Sequence, residues 1–328
     1  MGGNLFKLGR LPKSDYQKVE TTLKPFLDKT FGSLYRIPRY YASKPDFGDL
    51  DIIVSSNAFE GNWEKVKANI IVELQLKEFK SVGHVFSTNF MNFQVDYFTV
   101  GHQYFESTYN FMCFNDLGNI LGKMFRRFNL KYGEEGLLYV YRRDDGHYKK
   151  DLPVSQNMEK IIGFLGLSYE QWVKGFDTLD DMFSWAIQSP YFSVKPFVEP
   201  SKVTEQRIET RTTIQRFVQW LEEHQITKTY EYLEDRDQYL PMINAYFPES
   251  QLDEQIKREQ IREEETKIMN EKFNGNVVME LTGLSGKELG AFIVRFKSQF
   301  SNFEAFLLQT DKSMVQNRIV ELWKTPES

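Results

Sequence analysis

Two aspartates stand two residues apart at the start of a short apolar run, in the segment Gly48-Asp49-Leu50-Asp51-Ile52-Ile53-Val54. Side chains alternate between the two faces of a strand, so Asp49 and Asp51 are predicted to share one face while Leu50 and Ile52 face the core. Two carboxylates held about 5–7 Å apart repel each other, and a divalent cation between them relieves that repulsion. The segment therefore predicts a metal-binding pair of acids.

A third acid, Asp96, lies among apolar residues in Phe93-Gln94-Val95-Asp96-Tyr97-Phe98, which is typical of a later strand. Three carboxylates that converge from two neighbouring strands are the ligand set of a two-magnesium phosphoryl-transfer site. In such a site one metal activates the attacking hydroxyl and the other holds the triphosphate and the leaving group. We predict that Asp49, Asp51 and Asp96 are catalytic and bind two Mg²⁺ ions, which Mn²⁺ can replace. The alternative is a strand end with solvated acids.

The elements that must position these acids follow the order α-β-β-α-β-β up to residue 100. Hydrophobic periodicity predicts helices over 14–30 and 63–79, and strands over 34–41, 50–54, 84–89 and 91–100. Further along, the patterns predict a helix over 116–129, a hairpin with a turn at 144–146, and helices over 158–165, 179–188, 202–225 and 249–273. The fold class is predicted to be α+β, with a mixed β-sheet backed by helices.

The segment Pro38-Arg39-Tyr40-Tyr41-Ala42-Ser43-Lys44-Pro45-Asp46-Phe47-Gly48-Asp49-Leu50-Asp51 resembles the active-site segment of the nucleotidyltransferase superfamily that includes DNA polymerase beta. In that family a Gly-Ser turn and a short basic stretch precede Gly-Asp-x-Asp. The resemblance implies that Asp49 and Asp51 bind the metals and that Asp96 activates a 3′ hydroxyl. The Gly-Ser position falls on Pro38-Arg39 here, and we expect Arg39, Ser43 and Lys44 to contact the triphosphate through charge instead.

A second resemblance lies downstream, in Asp116-Leu117-Gly118-Asn119-Ile120-Leu121-Gly122-Lys123 and Phe128-Asn129-Leu130-Lys131-Tyr132-Gly133-Glu134-Glu135-Gly136-Leu137. Both are similar to the thumb of family X polymerases. By position, Asp116 and Asn119 are implied to contact the incoming base, and Lys123 to lie near the nascent pair. The alternative for Asp116 and Asn119 is helix capping and a polar position on the protein surface. The Thr-Gly turn that precedes this helix in family X polymerases is absent.

Near the end of the sequence, Leu281-Thr282-Gly283-Leu284-Ser285-Gly286-Lys287-Glu288-Leu289-Gly290 has a weaker resemblance to a glycine-rich helix start in CCA-adding tRNA nucleotidyltransferases. A helix N-terminus with glycines is able to hold a phosphate. A tight turn between two helices is the favoured interpretation.

Positive charge is concentrated in the first half of a chain whose net charge is −5. Residues 1–45 carry nine Lys or Arg against three acids, and residues 120–150 carry eight against four. We predict nucleic-acid contacts from Arg126, Arg127, Lys131, Arg142 and Arg143, with interleaved aromatic residues that stack on unpaired bases, namely Phe125, Phe128, Tyr139 and Tyr141. The alternative for each of these basic residues is a solvated charged face.

Composition excludes other classes. The 328 residues have an ordinary globular composition, and no apolar run approaches the roughly 20 residues that span a bilayer. Cys113 is the single cysteine, which excludes an intrachain disulfide and a multi-cysteine metal site, and the four histidines have no metal-ligand spacing. We predict an intracellular, cytoplasmic protein without a membrane partner.

Together these patterns predict a nucleotidyltransferase palm over 1–102, a thumb-like segment over 103–175 and a helical C-terminal domain over 176–328. The predicted reaction is Mg²⁺-dependent transfer of a nucleoside monophosphate from an NTP to a nucleic-acid 3′ hydroxyl, with release of pyrophosphate. An RNA or tRNA 3′ end is favoured by the absent Thr-Gly turn, the large helical appendage and the CCA-like tail. The alternatives are a templated DNA repair polymerase, a cyclic-oligonucleotide synthase, an enzyme that nucleotidylates protein, and a catalytically silent binding module.

Overall fold

Alternating apolar and polar residues build a mixed five-stranded sheet in the computed structural model, which describes residues 5–142 and 147–325. In chain order the strands are β1 (Leu11–Pro12), β2 (Tyr35–Arg36), β3 (Asp46–Phe47), β4 (Leu50–Ser55), β5 (Phe79–Val82), β6 (Val85–Phe90), β7 (Phe93–Val100), β8 (Leu130–Gly133), β9 (Gly136–Arg142) and β10 (Tyr148–Ser155). The large sheet has the order β2-β4-β7-β6-β5, in which β4 and β7 are parallel and the other neighbours are antiparallel. Strand β1 pairs with β3, and β8, β9 and β10 form a separate antiparallel sheet.

Helices lie between the strands along the first half of the chain and make up most of the second half of the described chain. They are α1 (Lys13–Phe31), α2 (Trp63–Glu73), α3 (Phe105–Met112), α4 (Leu117–Phe125), α5 (Met158–Phe164), α6 (Tyr169–Lys174), α7 (Leu179–Ala186), α8 (Lys195–Val198), α9 (Lys202–Thr210), α10 (Thr212–Glu223), α11 (Leu240–Tyr246), α12 (Leu252–Lys272), α13 (Gly275–Thr282), α14 (Gly286–Lys297), α15 (Phe303–Gln309) and α16 (Lys312–Lys324). The predicted α+β class with a mixed sheet is confirmed.

The core beneath the large sheet depends on the two-residue period of its strands. Leu50 and Ile52 of β4 are fully buried and belong to one cluster with Leu23 and Leu27 of α1 and Ile70 of α2. Burying each such side chain contributes about 1.5–3 kcal/mol relative to leaving it in water. This burial fixes which face of β4 packs on the helices, and so it places Asp51 on the opposite face.

Several predicted elements are wrong in extent. The helix predicted over 63–79 ends at Glu73, because Gln75 has a positive φ of 50° and turns the chain toward β5. The helix predicted over 202–225 is interrupted at Arg211, whose backbone is extended (φ −124°, ψ 107°). Strand β8 was not predicted, and the predicted turn at 144–146 lies outside the described residues.

The chain divides into two compact units, Met1–Leu252 and Asp253–Ser328. The predicted domain boundaries at 102 and 175 both fall inside the first unit, and the division into palm, thumb and helical domain stays a prediction. Within the described residues, no helix combines the length and the apolar character needed to cross a bilayer.

Helices α13–α16 of the second unit pack around their own apolar core, which includes Phe296 and Ile319. The glycine-rich segment 281–290 joins two of these helices. Gly283 ends α13 in the left-handed region (φ 72°), and Gly286 begins α14 with φ 55°. The segment is thus an interhelical turn, as favoured from the sequence.

Candidate active site

The parallel register of β4 and β7 brings the three predicted carboxylates to one place. Asp51 lies directly opposite Asp96, and Asp49 lies just before β4 begins. One carboxylate oxygen from each of the three residues lies within 4.8 Å of the others. Because paired residues of adjacent strands present their side chains on the same face, the register alone aligns Asp51 with Asp96.

Two neighbours orient the carboxylate of Asp96, which is only 5% exposed. Gln94 Nε2 donates to both carboxylate oxygens, at 3.1 Å to Oδ1 and 2.9 Å to Oδ2. Ser87, which lies opposite Asp96 on β6, also hydrogen-bonds to this carboxylate. Gln94 and Asp96 are two residues apart on β7 and therefore share a face. The third carboxylate is held rigidly before any ligand arrives.

Burial raises the pKa of all three acids, and repulsion by neighbouring carboxylates adds to this effect at Asp49 and Asp51. The pKa of Asp51 is raised well above its usual range, first by burial and then by the charges of Asp49 and Asp96. Burial followed by the Asp96 charge raises the pKa of Asp49, and burial raises that of Asp96 against the bonds from Ser87 and Gln94. A bound cation removes this repulsion, and clustered carboxylate oxygens are the donors that Mg²⁺ prefers. The three residues therefore fit a divalent cation.

Lys44 lies beside the acids as a partly buried cation. Its ammonium Nζ donates to Asn115 Oδ1 at 3.2 Å and lies 4.3 Å from the ring centre of Phe47. Burial lowers the pKa of Lys44, while the charges of Asp49 and Asp51 raise it. A lysine in this position lies close to the carboxylates, where the phosphate of a metal-bound substrate would approach.

The acids open into a cleft of about 640 Å³, whose lining includes Lys44, Asp116, Asn119 and residues 210–213. On its second wall, Arg211 Nη1 donates to Asp116 Oδ1 at 2.6 Å, and Asn119 Nδ2 donates to the same oxygen at 3.0 Å. Asp116 makes no side-chain capping bond to α4, which removes the capping alternative for this residue. The cleft thus has an acidic floor and a polar second wall.

A tight turn between α3 and α4 connects the two walls. Phe114 and Asn115 both have positive φ, 61° and 60°, although neither is glycine. Asn115 accepts from Lys44 and its Nδ2 donates to Thr213 Oγ1 at 3.4 Å. Such backbone conformations are costly for non-glycine residues and persist only where surrounding contacts impose them. The turn links the acidic floor to the start of α10.

Arg39 lies in the cleft wall, but its guanidinium is held by other groups. Nη1 and Nη2 donate to the carbonyl oxygens of Val173 (2.7 Å) and Trp172 (2.9 Å). The same guanidinium lies 4.7 Å from the ring centre of Phe114 and 4.4 Å from that of Trp172. These contacts fix the position of the Phe114 turn, so the geometry favours a positioning role over a phosphate contact.

Two further residues predicted to bind nucleotide do not line the cleft. Ser43 is exposed, and its backbone amide donates to the carbonyl of Asp177 at 2.7 Å. Lys123 is half-buried near the end of α4, away from the cleft-lining residues at its start. Asp116 and Asn119, by contrast, both line the cleft.

The predicted nucleic-acid contacts separate into two kinds. Arg126 and Arg142 are exposed and Arg127 is half-buried, whereas Lys131 Nζ is paired with Asp151 Oδ2 at 2.6 Å. Arg143 lies outside the described residues. The prediction that interleaved aromatic residues stack on bases is wrong, because all of them are in the core; they are Phe125, Phe128, Tyr139 and Tyr141.

Several site residues were missed from the sequence. Gln94 could have been found, since it lies two residues before Asp96 on the same predicted strand face. Asn115, Thr213 and Arg211 carry no comparable signal. Arg211 reaches Asp116 from 95 residues further along the chain, and only the folded structure brings the two together.

No protein-family model matches the chain, and no curated protein matches its sequence. Among solved structures, polymerase beta of Leishmania infantum, in a ternary P/T complex, is similar in structure with a TM-score of 0.37 and 15% sequence identity. The match covers 49% of this chain and 74% of that chain. A similarity this low carries no argument about activity, so the function must be argued from the residues of the site.

Proposed function

We propose that this protein is a nucleotidyltransferase that transfers a nucleoside monophosphate from an NTP to a hydroxyl group and releases pyrophosphate. The observation that carries the proposal is the meeting of Asp49, Asp51 and Asp96 within 4.8 Å of one another at the floor of a large cleft. Three carboxylates this close together repel one another when they are ionised. A site in which three carboxylates lie together is therefore suited to bind divalent cations along with an anionic substrate such as an NTP.

Each carboxylate has a distinct place in the proposed reaction. Asp49 and Asp51 would hold Mg²⁺ together with Asp96, and bound Mg²⁺ would supply charge stabilisation for the triphosphate and lower the pKa of the attacking hydroxyl. The hydroxyl oxygen forms a bond to the α-phosphorus while the bond from that phosphorus to the bridging oxygen of the β-phosphate breaks. We assign to Asp96, oriented by Gln94 and Ser87, the role of accepting the proton of the attacking hydroxyl, while pyrophosphate leaves with the bridging oxygen.

Two cations are proposed to bind the triphosphate. Lys44 lies next to the acids, and its hydrogen bond to Asn115 leaves it with two further N–H donors. Arg211 lies on the second wall, where its guanidinium is paired with Asp116. A phosphate oxygen competes well for this guanidinium because charge-assisted bonds to arginine are strong and directional. Arg39 is proposed to act indirectly, by holding the Phe114 turn.

The proposed acceptor is the 3′ hydroxyl of a nucleic acid, with an RNA or tRNA 3′ end favoured. Exposed basic side chains of the first unit support a polyanionic acceptor, in particular those of Arg126 and Arg142. Base contacts from Asp116 and Asn119 stay a proposal, supported by their place in the cleft lining. The preference for RNA depends on the sequence resemblance described above.

The test is to incubate the protein with MgCl₂, each α-labelled NTP and either a tRNA pool or an RNA oligomer, and to resolve the products on a denaturing gel. We expect labelled RNA that is longer by one or more nucleotides, together with stoichiometric pyrophosphate. Asp51→Asn should give neither product. Asp46→Asn is the matched control, because Asp46 lies in the preceding strand β3 and does not line the cleft.

Parallel reactions identify the acceptor. Filling of gapped DNA without extension of any RNA would contradict the RNA preference and indicate a repair polymerase. Labelled protein, or oligonucleotides that form from NTPs alone and are seen by mass spectrometry, would contradict a nucleic-acid acceptor while keeping nucleotidyl transfer. Absence of every labelled product in the presence of Mg²⁺ and Mn²⁺ would contradict the proposed function.

A further inference from the structure

Four arginines from three separate segments lie close together in the first unit. Arg126 and Arg127 follow the end of α4, Arg142 ends β9, and Arg236 begins a short 3-10 turn. The charges of Arg127, Arg142 and Arg126, in addition to partial burial, lower the pKa of Arg236. Like charges that lie near one another repel, and this repulsion destabilises the folded protein unless an anion is present.

Three of these arginines form no ion pair with an acid of the described residues. Within residues 5–142 and 147–325, no ion pair joins Arg126, Arg127 or Arg236 to a carboxylate. Asp237, the neighbour of Arg236, has Oδ1 occupied by Asn129 Nδ2 at 3.0 Å and by the hydroxyl of Tyr139 at 2.7 Å. Arg126, Arg127 and Arg236 are therefore cations without an ion-pair partner among the described residues, in a chain whose net charge is −5.

An exposed aromatic ring lies beside the arginines. Tyr148 of β10 is 58% exposed and is the cross-strand partner of Arg142. Paired residues of antiparallel strands have their side chains on the same face, about 5 Å apart at Cβ. Exposed tyrosine next to arginine is the combination that stacks a base and binds its phosphate in single-strand recognition.

Helix α4 fixes the distance between these arginines and the cleft. Asp116 at its start lines the cleft, and Arg126 directly follows its last residue. At 1.5 Å per residue, the helix separates the two by about 15 Å. A strand whose 3′ end enters the cleft would need only a few nucleotides to reach the arginines.

We propose that Arg126, Arg127, Arg142, Arg236 and Tyr148 form a binding surface for a single-stranded nucleic acid, which holds the acceptor strand a few nucleotides from its 3′ end. This surface, called the arginine surface below, deepens the proposed function and rests on it for the identity of the strand as acceptor. The sequence predicted Arg126, Arg127 and Arg142 as nucleic-acid contacts, and the structure adds Arg236 and Tyr148 to them. We propose Tyr148 as the stacking side chain in place of the aromatic residues that proved to be in the core.

The first test measures binding without NTP, so that it does not depend on catalysis. Fluorescence anisotropy of a 5′-labelled 12-nucleotide RNA is followed from 50 to 300 mM KCl with the full-length wild-type chain. We expect Kd to rise about 10- to 100-fold in the double variant Arg127→Gln/Arg236→Gln. The slope of log Kd against log salt should fall by about 1.4, since each phosphate contact contributes about 0.7 for single strands.

Tyr148→Ala separates base stacking from charge. We expect Kd to rise about 5- to 100-fold with no change in the salt slope, because stacking is worth roughly 1–3 kcal/mol per base and involves no counterion release. The matched control is Lys195→Gln/Arg216→Gln, which removes two cations of the same unit that are paired with Glu231 and Glu223. Thermal melts confirm that each variant is folded.

The outcomes separate this inference from the proposed function. An unchanged Kd and salt slope in Arg127→Gln/Arg236→Gln would overturn the arginine surface, even if nucleotidyl transfer is observed. Equal binding of a blunt duplex of the same length, with no effect of Tyr148→Ala, would overturn the single-strand assignment. Binding with the expected variant effects but without any transfer would support the surface and contradict the proposed function.

A second readout links the surface to the reaction. The ratio of kcat/KM for a 12-nucleotide acceptor to that for a dinucleotide should fall at least tenfold in Arg127→Gln/Arg236→Gln. A dinucleotide is too short to reach across about 15 Å, so it serves as the internal reference. An unchanged ratio would contradict a role for the surface in holding the acceptor.

Discussion

The acidic cluster in the cleft and the arginine surface are both groups of like charges, but the chain holds them in different ways. Asp51 and Asp96 are aligned by the register of two hydrogen-bonded strands, and their pKa values are raised mainly by burial. Arg126 and Arg142 are exposed and come from the ends of a helix and a strand. One group is rigid and desolvated, and the other is solvated and spread over the surface.

This difference indicates what each group binds. Buried carboxylates at fixed positions match a small, hard cation, which needs a defined set of oxygen ligands. Solvated guanidinium groups match a flexible polyanion, whose phosphates bind through counterion release and lose affinity with salt. Substitutions in the acidic cluster should therefore act on the reaction itself, and substitutions in the arginine surface should act on acceptor binding and its salt dependence.

The largest expected effect is the loss of activity in Asp51→Asn. We expect kcat to fall at least ~10³-fold, as when a major electrostatic element of an active site is removed. Steady-state transfer rates at saturating Mg²⁺ and NTP measure the effect. Asp46→Asn should retain activity within about twofold, because the Asp46 side chain forms an exposed pair with Arg10, and exposed ion pairs contribute little. A kcat of D51N within tenfold of the wild-type value would contradict the claim that the acidic cluster, unlike the arginine surface, acts on the reaction itself.

A smaller loss is expected when the orientation of Asp96 is released. Gln94→Ala removes both hydrogen bonds from Gln94 Nε2 to the carboxylate. Groups that orient metal ligands typically contribute 10- to 100-fold in metal affinity or activity. We expect the Mg²⁺ concentration for half-maximal activity to rise by a factor in this range. Asn89→Ala, which changes the residue opposite Gln94 on β6, is the control and should leave the Mg²⁺ dependence unchanged.

Arg211 tests the second wall of the cleft. Arg211→Gln should raise KM for the NTP about tenfold, since a hydrogen bond to a charged group contributes roughly 1.5–3 kcal/mol, with little change in the Mg²⁺ dependence. Arg216→Gln, one turn further along α10, is the matched control because Arg216 is paired with Glu223 instead. Equal KM values in the two variants would show that Arg211 has only a structural role with Asp116.

The smallest effect is a gain of stability in the metal-free protein. Burial and charge raise the folded-state pKa of Asp51 above its unfolded value, so the folded state holds this proton more tightly. The free energy of unfolding therefore falls as pH rises from the usual carboxyl range through the raised pKa, and the full penalty is present above the raised pKa. Asp51→Asn removes it.

We expect the D51N variant to melt a few degrees above the wild type at pH 7.5 in EDTA, and to lose this advantage near pH 4. Roughly 2–4 °C corresponds to each 1 kcal/mol in a domain of 150–250 residues. Mg²⁺ should raise the melting temperature of the wild type and leave D51N unchanged. A lower melting temperature for D51N in EDTA would mean that Asp51 stabilises the fold, contrary to the repulsion described here.

The acidic site could be predicted because its signal is local. Asp49, Asp51 and Asp96 lie on short apolar strands with a two-residue period, and strand pairing then leaves few ways to arrange them. The α+β class with its mixed sheet could be predicted from the same two-residue period of apolar residues. Helix ends were less predictable, as at Gln75 and Arg211, because a single residue with positive φ or extended backbone interrupts an otherwise helical pattern.

The second wall and the arginine surface depended on contacts that no local pattern encodes. Arg211 pairs with Asp116, and Arg236 lies near enough to Arg127 to be repelled by its charge. In each case about a hundred residues of sequence separate the two side chains. The aromatic residues between the arginines looked suitable for stacking, yet their spacing on helix and strand placed them in the core. Tyr148, at the start of β10, is exposed instead.

The central claim is that Asp49, Asp51 and Asp96 bind divalent cations, and Mn²⁺ titration followed by electron paramagnetic resonance tests it most directly. We predict saturable Mn²⁺ binding to the wild-type chain that Mg²⁺ displaces, the same binding in Asp46→Asn, and affinity at least tenfold weaker in Asp51→Asn. Absence of saturable binding in the wild type, or equal affinity in Asp51→Asn, would contradict the account.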